Sequence, residues 1–299
     1  MDCAADTEEI FTCSGCRFPL IRREGIWRSL PVERAAYYAR FIKDYEAIRA
    51  SEGRGSHKSD YYLGLPYADR SGNNKAQWKI RARTFLFLKE RILPSLKAAT
   101  ELPLRVLDIG AGTGWLCYRL AQMDIMPVAV DLLINETDGL GAAVHYDRQL
   151  SKPFQRFQAE ATRLPFGDDQ FDAVVFNASF HYAESYEKLM REALRCLRKG
   201  GMAIVADTPW YSRRESGERM LEERRSQFFD RFGTFSNSIR SQEFLTDERL
   251  RELELSLGIR WERHLPSYGF RWALRPWVSR LRRKREPATF RIYTATKPS

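Results

Sequence analysis

The residues with the strongest claim to chemistry in this 299-residue chain lie between Val106 and Tyr182. Val106-Leu-Asp-Ile-Gly-Ala-Gly-Thr-Gly114 is an apolar run that passes directly into glycines at alternate positions. Glycine is needed where a chain turns sharply and its backbone must come close to a ligand. The spacing G-x-G-x-G differs from the dinucleotide pattern G-x-G-x-x-G, in which a helix N-terminus receives a pyrophosphate. Asp108 sits just before the first glycine, and Asp131 ends a second apolar run, Pro127-Val-Ala-Val-Asp131. A carboxylate at that place can accept both hydroxyls of a ribose, or cap a following helix. Glu160 lies in Gln158-Ala-Glu-Ala-Thr-Arg-Leu-Pro-Phe166, and Asn177-Ala-Ser-Phe-His-Tyr182 follows a fourth apolar run. His181 suits proton removal, because an unperturbed imidazole titrates near neutrality, and it suits packing equally well. His145 is a second, less well placed histidine, and no Ser-His-Asp or metal-carboxylate constellation is present.

The elements that must position these residues follow from the alternation of short apolar runs with helical spacing after Leu104. Runs at 105–109, 127–131, 154–159, 171–176 and 202–206 read as strands. Trp115 to Met123 and Glu187 to Leu197 carry helical spacing. Continuous apolar strands separated by helices predict a parallel sheet covered on both faces, and right-handed crossovers make it doubly wound. After Asp207 the pattern breaks into a charged insertion, a helix over Thr246 to Leu257 stopped by Gly258, and final strands at 259–265 and 289–295. The predicted fold class is therefore α/β: a doubly wound seven-stranded sheet, mostly parallel with an antiparallel last strand, behind an N-terminal helical cap.

Four motifs in this order and spacing resemble those of class I S-adenosylmethionine (SAM) dependent methyltransferases, nearest to the type-11 subgroup that includes methyltransferases of quinone biosynthesis. They are the glycine loop, Asp131, the stretch 158–166 with Asp168-Asp169, and Leu189 to Gly201, where Lys199 replaces the usual proline. The resemblance covers roughly residues 102–207. It implies a SAM-dependent methyltransferase whose cofactor is held by Asp108, Gly110, Ala111, Gly112, Gly114, Asp131, Leu132, Glu160, Ala161 and Asn177. Asp108 would stabilise the ammonium side, Asp131 the ribose, Glu160 the adenine amine in place of the usual Asp, and Ala161 the ring through its backbone. Asn177-Ala-Ser-Phe180 lacks the paired prolines of many enzymes that methylate base or amide nitrogens. The expected acceptor is therefore a small molecule related to lipids, quinones or sugars. An RNA or protein methyltransferase, and a catalytically silent partner-binding subunit, are the alternatives. His181 and Tyr182 are the catalytic candidates, and Tyr62, Trp78 and Arg81 the substrate candidates.

Cys13 and Cys16 form a C-x₂-C knuckle, half of a tetrahedral zinc site, in a segment that resembles the zinc-ribbon module fused to some methyltransferases. The second pair is missing, with Cys3 and His57 at unconvincing spacings, so a degenerate, metal-free remnant is expected. The expected domains are this segment over 1–33, a helical cap over 34–100, and the methyltransferase domain over 101–299 with insertions at about 210–238 and 268–287. Residues 211–237, with part of the stretch 37–93, are expected to wall the acceptor pocket.

The net charge is +10, and the stretch from Arg260 to Ser299 holds eleven Lys or Arg against two Glu. Within it Phe270, Leu274, Trp277 and Leu281 recur at helical spacing among Arg271, Arg275, Arg280, Arg282, Arg283, Lys284 and Arg285. That pattern predicts an amphipathic basic element over 270–285, docked on the sheet or lying on an anionic membrane surface. No RNA-binding module is recognisable, which weighs against nucleic acid. The aromatic content excludes a disordered chain, and no apolar run is long enough to span a bilayer. The acidic N-terminus without an apolar core predicts no secretory signal, and five cysteines predict no disulfide framework. A reducing, cytoplasmic setting is expected.

Overall fold

A computed structural model of the chain describes residues 9–98, 103–233 and 239–298. The strands are β1 (Glu9–Thr12), β2 (Pro19–Arg23), β3 (Ile26–Arg28), β4 (Arg105–Ile109), β5 (Met126–Asp131), β6 (Gln155–Gln158), β7 (Phe171–Asn177), β8 (Leu197–Ala206), β9 (Glu262–His264) and β10 (Ile292–Thr296). They form one sheet in the order β1-β2-β3-β6-β5-β4-β7-β8-β10-β9. The segment from β6 to β9 is the predicted seven-stranded sheet, parallel up to β8 and closed by antiparallel β10. The count of seven is corrected to ten. The N-terminal segment, expected as a separate module, adds its three strands to the sheet edge through parallel pairing of β3 with β6, where Trp27 stacks on Phe157. An edge strand exposes unpaired backbone groups, and this meander covers the one that β6 would offer.

The central strands are apolar on both faces because both faces are covered. Val106, Ala129, Ala173 and Ile204 pack into one buried cluster, while Leu107, Val128, Val174 and Ala203 pack into the other. The helices are α1 (Val32–Ser51), α2 (Ser59–Gly64), α3 (Lys75–Phe87), α4 (Leu93–Ala98), α5 (Trp115–Ala121), α6 (Val144–Asp147), α7 (Tyr186–Cys196), α8 (Arg214–Phe232), α9 (Asp247–Leu257), α10 (Phe270–Ala273) and α11 (Arg275–Leu281). Helix α7 starts on Ser185, whose hydroxyl accepts the Lys188 N–H, and buries Leu189, Met190, Ala193 and Cys196. Helix α9 starts in the same way on Thr246 and stops at Gly258 in the left-handed region. Gly200 and Gly201 lie inside β8, whose pairing with β7 has an irregularity between Phe171 and Ala173.

The element over 270–285 departs from the docked arrangement. Helices α10 and α11 bury none of their residues, and Phe270, Trp277 and Leu281 are 77%, 71% and 86% exposed. Pro276 stands in the first turn of α11, where its fixed φ is accommodated. The element is tied down at its two ends. At the far end Arg285 pairs with Glu223 of α8 at 2.6 Å. At the near end Trp272 stacks on Phe290, and Tyr268 shares a hydrogen bond with Thr84 of α3.

Candidate active site

A cavity of about 510 Å³ opens at the carboxyl ends of β4, β5 and β7, where open α/β sheets place their ligands. The glycine loop forms its floor. Gly110 (φ +75°) and Gly112 (φ +54°) take left-handed conformations, and the Gly110 N–H donates to the Val130 carbonyl, bending the loop onto β5. Asp131 receives the N–H of Gly112 at 2.7 Å on one oxygen and that of Leu133 at 2.9 Å on the other. Burial still pushes its carboxyl up to about 6. Asp108 is more deeply enclosed. Burial pushes it to about 7, the Cys117 thiol donates to one oxygen, and the other oxygen is buried without a partner. Asn177 Oδ1 at the end of β7 is likewise buried and unpartnered.

Of the residues expected to bind cofactor, the cavity brings together Asp108, Gly110, Ala111, Gly112, Asp131, Leu132, Glu160, Ala161 and Asn177. Gly114 stands outside it as the left-handed residue that starts α5, and a Cβ there would meet the Phe154 ring. Glu160 is engaged within the protein. Arg34 donates to both of its oxygens at 2.6 and 2.8 Å, and the hydroxyls of Tyr38 and Thr162 at 2.9 Å. These bonds hold its carboxyl below the ordinary range despite burial.

Trp78, Arg81 and Tyr182 also line the cavity, and the Trp78 ring meets Trp115, just after the glycine loop, edge-on at 5.9 Å. Tyr62 does not line it: it is fully buried, with its hydroxyl bonded to Ser56 and the Thr137 carbonyl, and it packs on His145. His181 also lies behind the wall rather than on it. Burial pulls its imidazole down to about 4, which leaves it neutral near neutrality, and its Nδ1 has no partner. Cys13 and Cys16 occupy the β1–β2 turn, where the backbone N–H groups of Cys16 and Gly15 pull the Cys13 thiol below its ordinary value. Among the described residues no group of three His, Cys, Asp or Glu side chains is arranged to hold a metal. Cys3 lies outside the described residues.

The expected acceptor wall is corrected in one part. Among the described residues none of 211–233 lines the cavity, and the wall comes from the stretch before β4, including residues of α1 that the sequence did not single out. Arg34, Tyr37, Tyr38, Phe41, Tyr45 and Arg49 of α1 all face the cavity. Their three- and four-residue spacing is a helical stripe, the signal that could have found them. Arg49 is held by a bidentate pair with Asp138, also on the cavity wall.

Residues 107–205 match the methyltransferase domain family of type 11. They are a methyltransferase domain. The chain is 35% identical over 119 residues to a malonyl-[acyl-carrier protein] O-methyltransferase of Geobacter sulfurreducens, covering 39% of this chain and 43% of that protein. It is 35% identical over 103 residues to a demethylmenaquinone methyltransferase of Mycobacterium marinum, covering 34% and 41%. The match thus spans less than half the length of these curated relatives. The solved structure of the YcgJ protein of Bacillus subtilis superposes with a TM-score of 0.52 at 17% identity, over 73% of this chain and 99% of that one, a likeness of fold.

The methyltransferase domain is of class I, and the cofactor of that class is SAM. The site fits it on its own evidence. A buried carboxylate oxygen without a partner suits the ammonium, the Asp131 carboxylate at the end of β5 suits the ribose, and at Gly112 no side chain fills the cavity, where a Cβ would meet only the Asp138 carbonyl at 3.7 Å. No described helix is long and apolar enough to cross a membrane.

Proposed function

We propose that the protein transfers the methyl group of SAM to a small-molecule acceptor bound between α1, α3 and the loop after β7. The observation that carries this reading is a single cavity joining the glycine loop, Asp108 and Asp131 to an aromatic wall of Trp78, Phe41, Tyr45 and Tyr182. When bound, SAM supplies a methyl carbon on a sulfonium, which an acceptor lone pair takes while the electrons of the broken bond stay on sulfur. The chain's part is positioning. Asp108, Asp131 and the loop fix one reactant, the aromatic wall fixes the other, and their alignment makes the step effectively unimolecular. A quinone-related ring or a malonyl-bearing chain, as in the names of the two relatives, suits such a wall. The intact carboxylates and glycines on one surface favour a binding-competent enzyme over a silent subunit. The test pairs calorimetry with SAM against a screen of labelled methyl transfer into lipid, quinone, sugar and RNA fractions. Binding with label in a small-molecule fraction is expected. Absence of SAM binding defeats the proposal, and label confined to RNA or protein defeats the acceptor class.

We propose further that α10 and α11 rest on an anionic membrane surface. Phe270, Leu274, Trp277, Val278 and Leu281 form an exposed apolar stripe, flanked by Arg271, Arg280, Arg282, Arg283 and Lys284. Trp and Leu on one side with cations beside them suit the boundary between headgroups and acyl chains. Each cation near an anionic bilayer contributes about 1 kcal/mol, so four together give measurable binding. Co-sedimentation with vesicles of rising phosphatidylserine content should show binding that falls with salt. It should be lost when Arg280, Arg282, Arg283 and Lys284 are changed to Gln. No binding at low salt removes the membrane from the proposal, and binding that persists in that variant removes the basic residues from it.

A further inference from the structure

The cavity holds a cation without a counter-charge in contact. Three arginines reach the cavity wall, and two are neutralised there, Arg34 by Glu160 and Arg49 by Asp138. Arg81, from the middle of α3, has no carboxylate within 4 Å among the described residues. Its guanidinium lies over the Trp78 ring at 4.8 Å. Removal from water pulls it down to about 10, and the charges of Arg54 and Arg49 push the same way. Asp207, at the end of β8, opposes this from a distance. One of its oxygens is taken by the Thr84 hydroxyl at 2.6 Å and the other is buried without a partner. Lys188 also lines the cavity, but as an exposed residue at the start of α7.

A guanidinium kept in an enclosed site without a partner carries an uncompensated desolvation cost, which a bound anion removes. Its planar fork matches the oxygens of a carboxylate or a phosphate, and the Trp78 ring below fixes the plane of that fork. We infer that the methyl acceptor carries an oxyanion, and that Arg81 receives it. The residue thereby sets substrate specificity: it anchors the charged end of the acceptor, while Tyr45, Phe41 and Tyr182 hold the apolar remainder. This rests on the methyl-transfer reading for the identity of the ligand, but not for the presence of the anion site.

The experiment titrates the full chain, saturated with the demethylated cofactor and separately without it, with benzoate, phenyl phosphate and uncharged benzamide. Tryptophan fluorescence reports binding. One anion should bind at least about tenfold more tightly than benzamide, as expected for a charge-assisted hydrogen bond, and which anion does so tells carboxylate from phosphate. Arg81→Gln should abolish the discrimination, and Arg81→Lys should keep part of it, while both variants bind the demethylated cofactor as the parent does. Equal binding of benzamide and both anions, discrimination that survives in Arg81→Gln, or discrimination that vanishes once the demethylated cofactor with its own carboxylate is bound, overturns the inference. Failure of the parent protein to bind the demethylated cofactor, with the anion preference intact, counts against methyl transfer and leaves the anion site standing.

Discussion

Replacing Asp131 by alanine should weaken binding of SAM and of its demethylated product by about tenfold to a hundredfold, the loss of about 1.5–3 kcal/mol expected for a hydrogen bond to a charged group. The carboxylate does two things at once. It receives the N–H groups of Gly112 and Leu133, which shapes the loop, and it stands where ribose hydroxyls would donate. Asp131→Asn separates the two, since an amide oxygen still accepts one N–H but carries no charge. The Asn variant should unfold near the parent's temperature yet share most of the lost affinity. Calorimetry at neutral pH checks this, and parental affinity in both variants refutes the assignment.

The same carboxylate gives a pH signature. Burial places Asp131 near 6 and Asp108 near 7, both above the ordinary aspartate value. In the ligand-free protein these groups favour the fold at low pH, and that contribution is lost as the pH rises through 6 and 7. SAM binding has the opposite sign, because its ammonium and ribose hydroxyls prefer the ionised carboxylates. Affinity should therefore rise from pH 5 to pH 8 while the stability conferred by these two groups falls. In Asp131→Asn the steepness of the affinity curve should drop by about one proton, tenfold per pH unit for each group removed.

Much of this was legible in the sequence because it depends on backbone geometry and strand ends. A strand that must turn at Gly110 and Gly112 writes its glycines into the chain, and Asp131 is marked by its place at the end of an apolar run. The core strands other than β9, whose residues are exposed or half-buried, were visible as apolar runs for the same reason. What stayed hidden depends on partners remote in sequence. Glu160 is saturated by Arg34, 126 residues away, so its spacing could not show that its carboxylate is already engaged. The docking of β3 onto β6 is set by a pairing that no local pattern encodes. Tyr62 resembled a pocket aromatic in composition alone, and its hydroxyl partners turned it into the core. Arg81 could be seen as an arginine near an aromatic, but its lack of a counter-ion is a property of the fold.

The second large effect is expected at Gly110. Its φ of +75° lies in the left-handed region, where an L side chain costs about 1–2 kcal/mol. A Cβ there would stand 2.3 Å from the Cβ of Ser179, an atom next to the backbone that cannot swing aside. Ser179 is itself held, since its hydroxyl donates to the Ile109 carbonyl. Relief must therefore come from moving the loop or the segment after β7, and both belong to the cofactor cavity. Gly110→Ala should lose about 2–4 kcal/mol of stability by strain and overpacking together, and should bind SAM too weakly to detect. Gly200→Ala isolates the backbone contribution. Gly200 has a nearly equal φ of +73° with nothing within 4 Å of the added methyl, and it lies at the opposite end of the sheet from the cavity. That variant should lose about 1 kcal/mol and bind SAM as the parent does. Adding Ser179→Gly to Gly110→Ala removes the clash but keeps the strained φ. It should recover stability toward the Gly200→Ala level, with only partial return of SAM binding. If Gly110→Ala and Gly200→Ala prove equally stable and bind SAM equally well, close approach at Gly110 is not what shapes the site. The glycine would then be required for the turn alone.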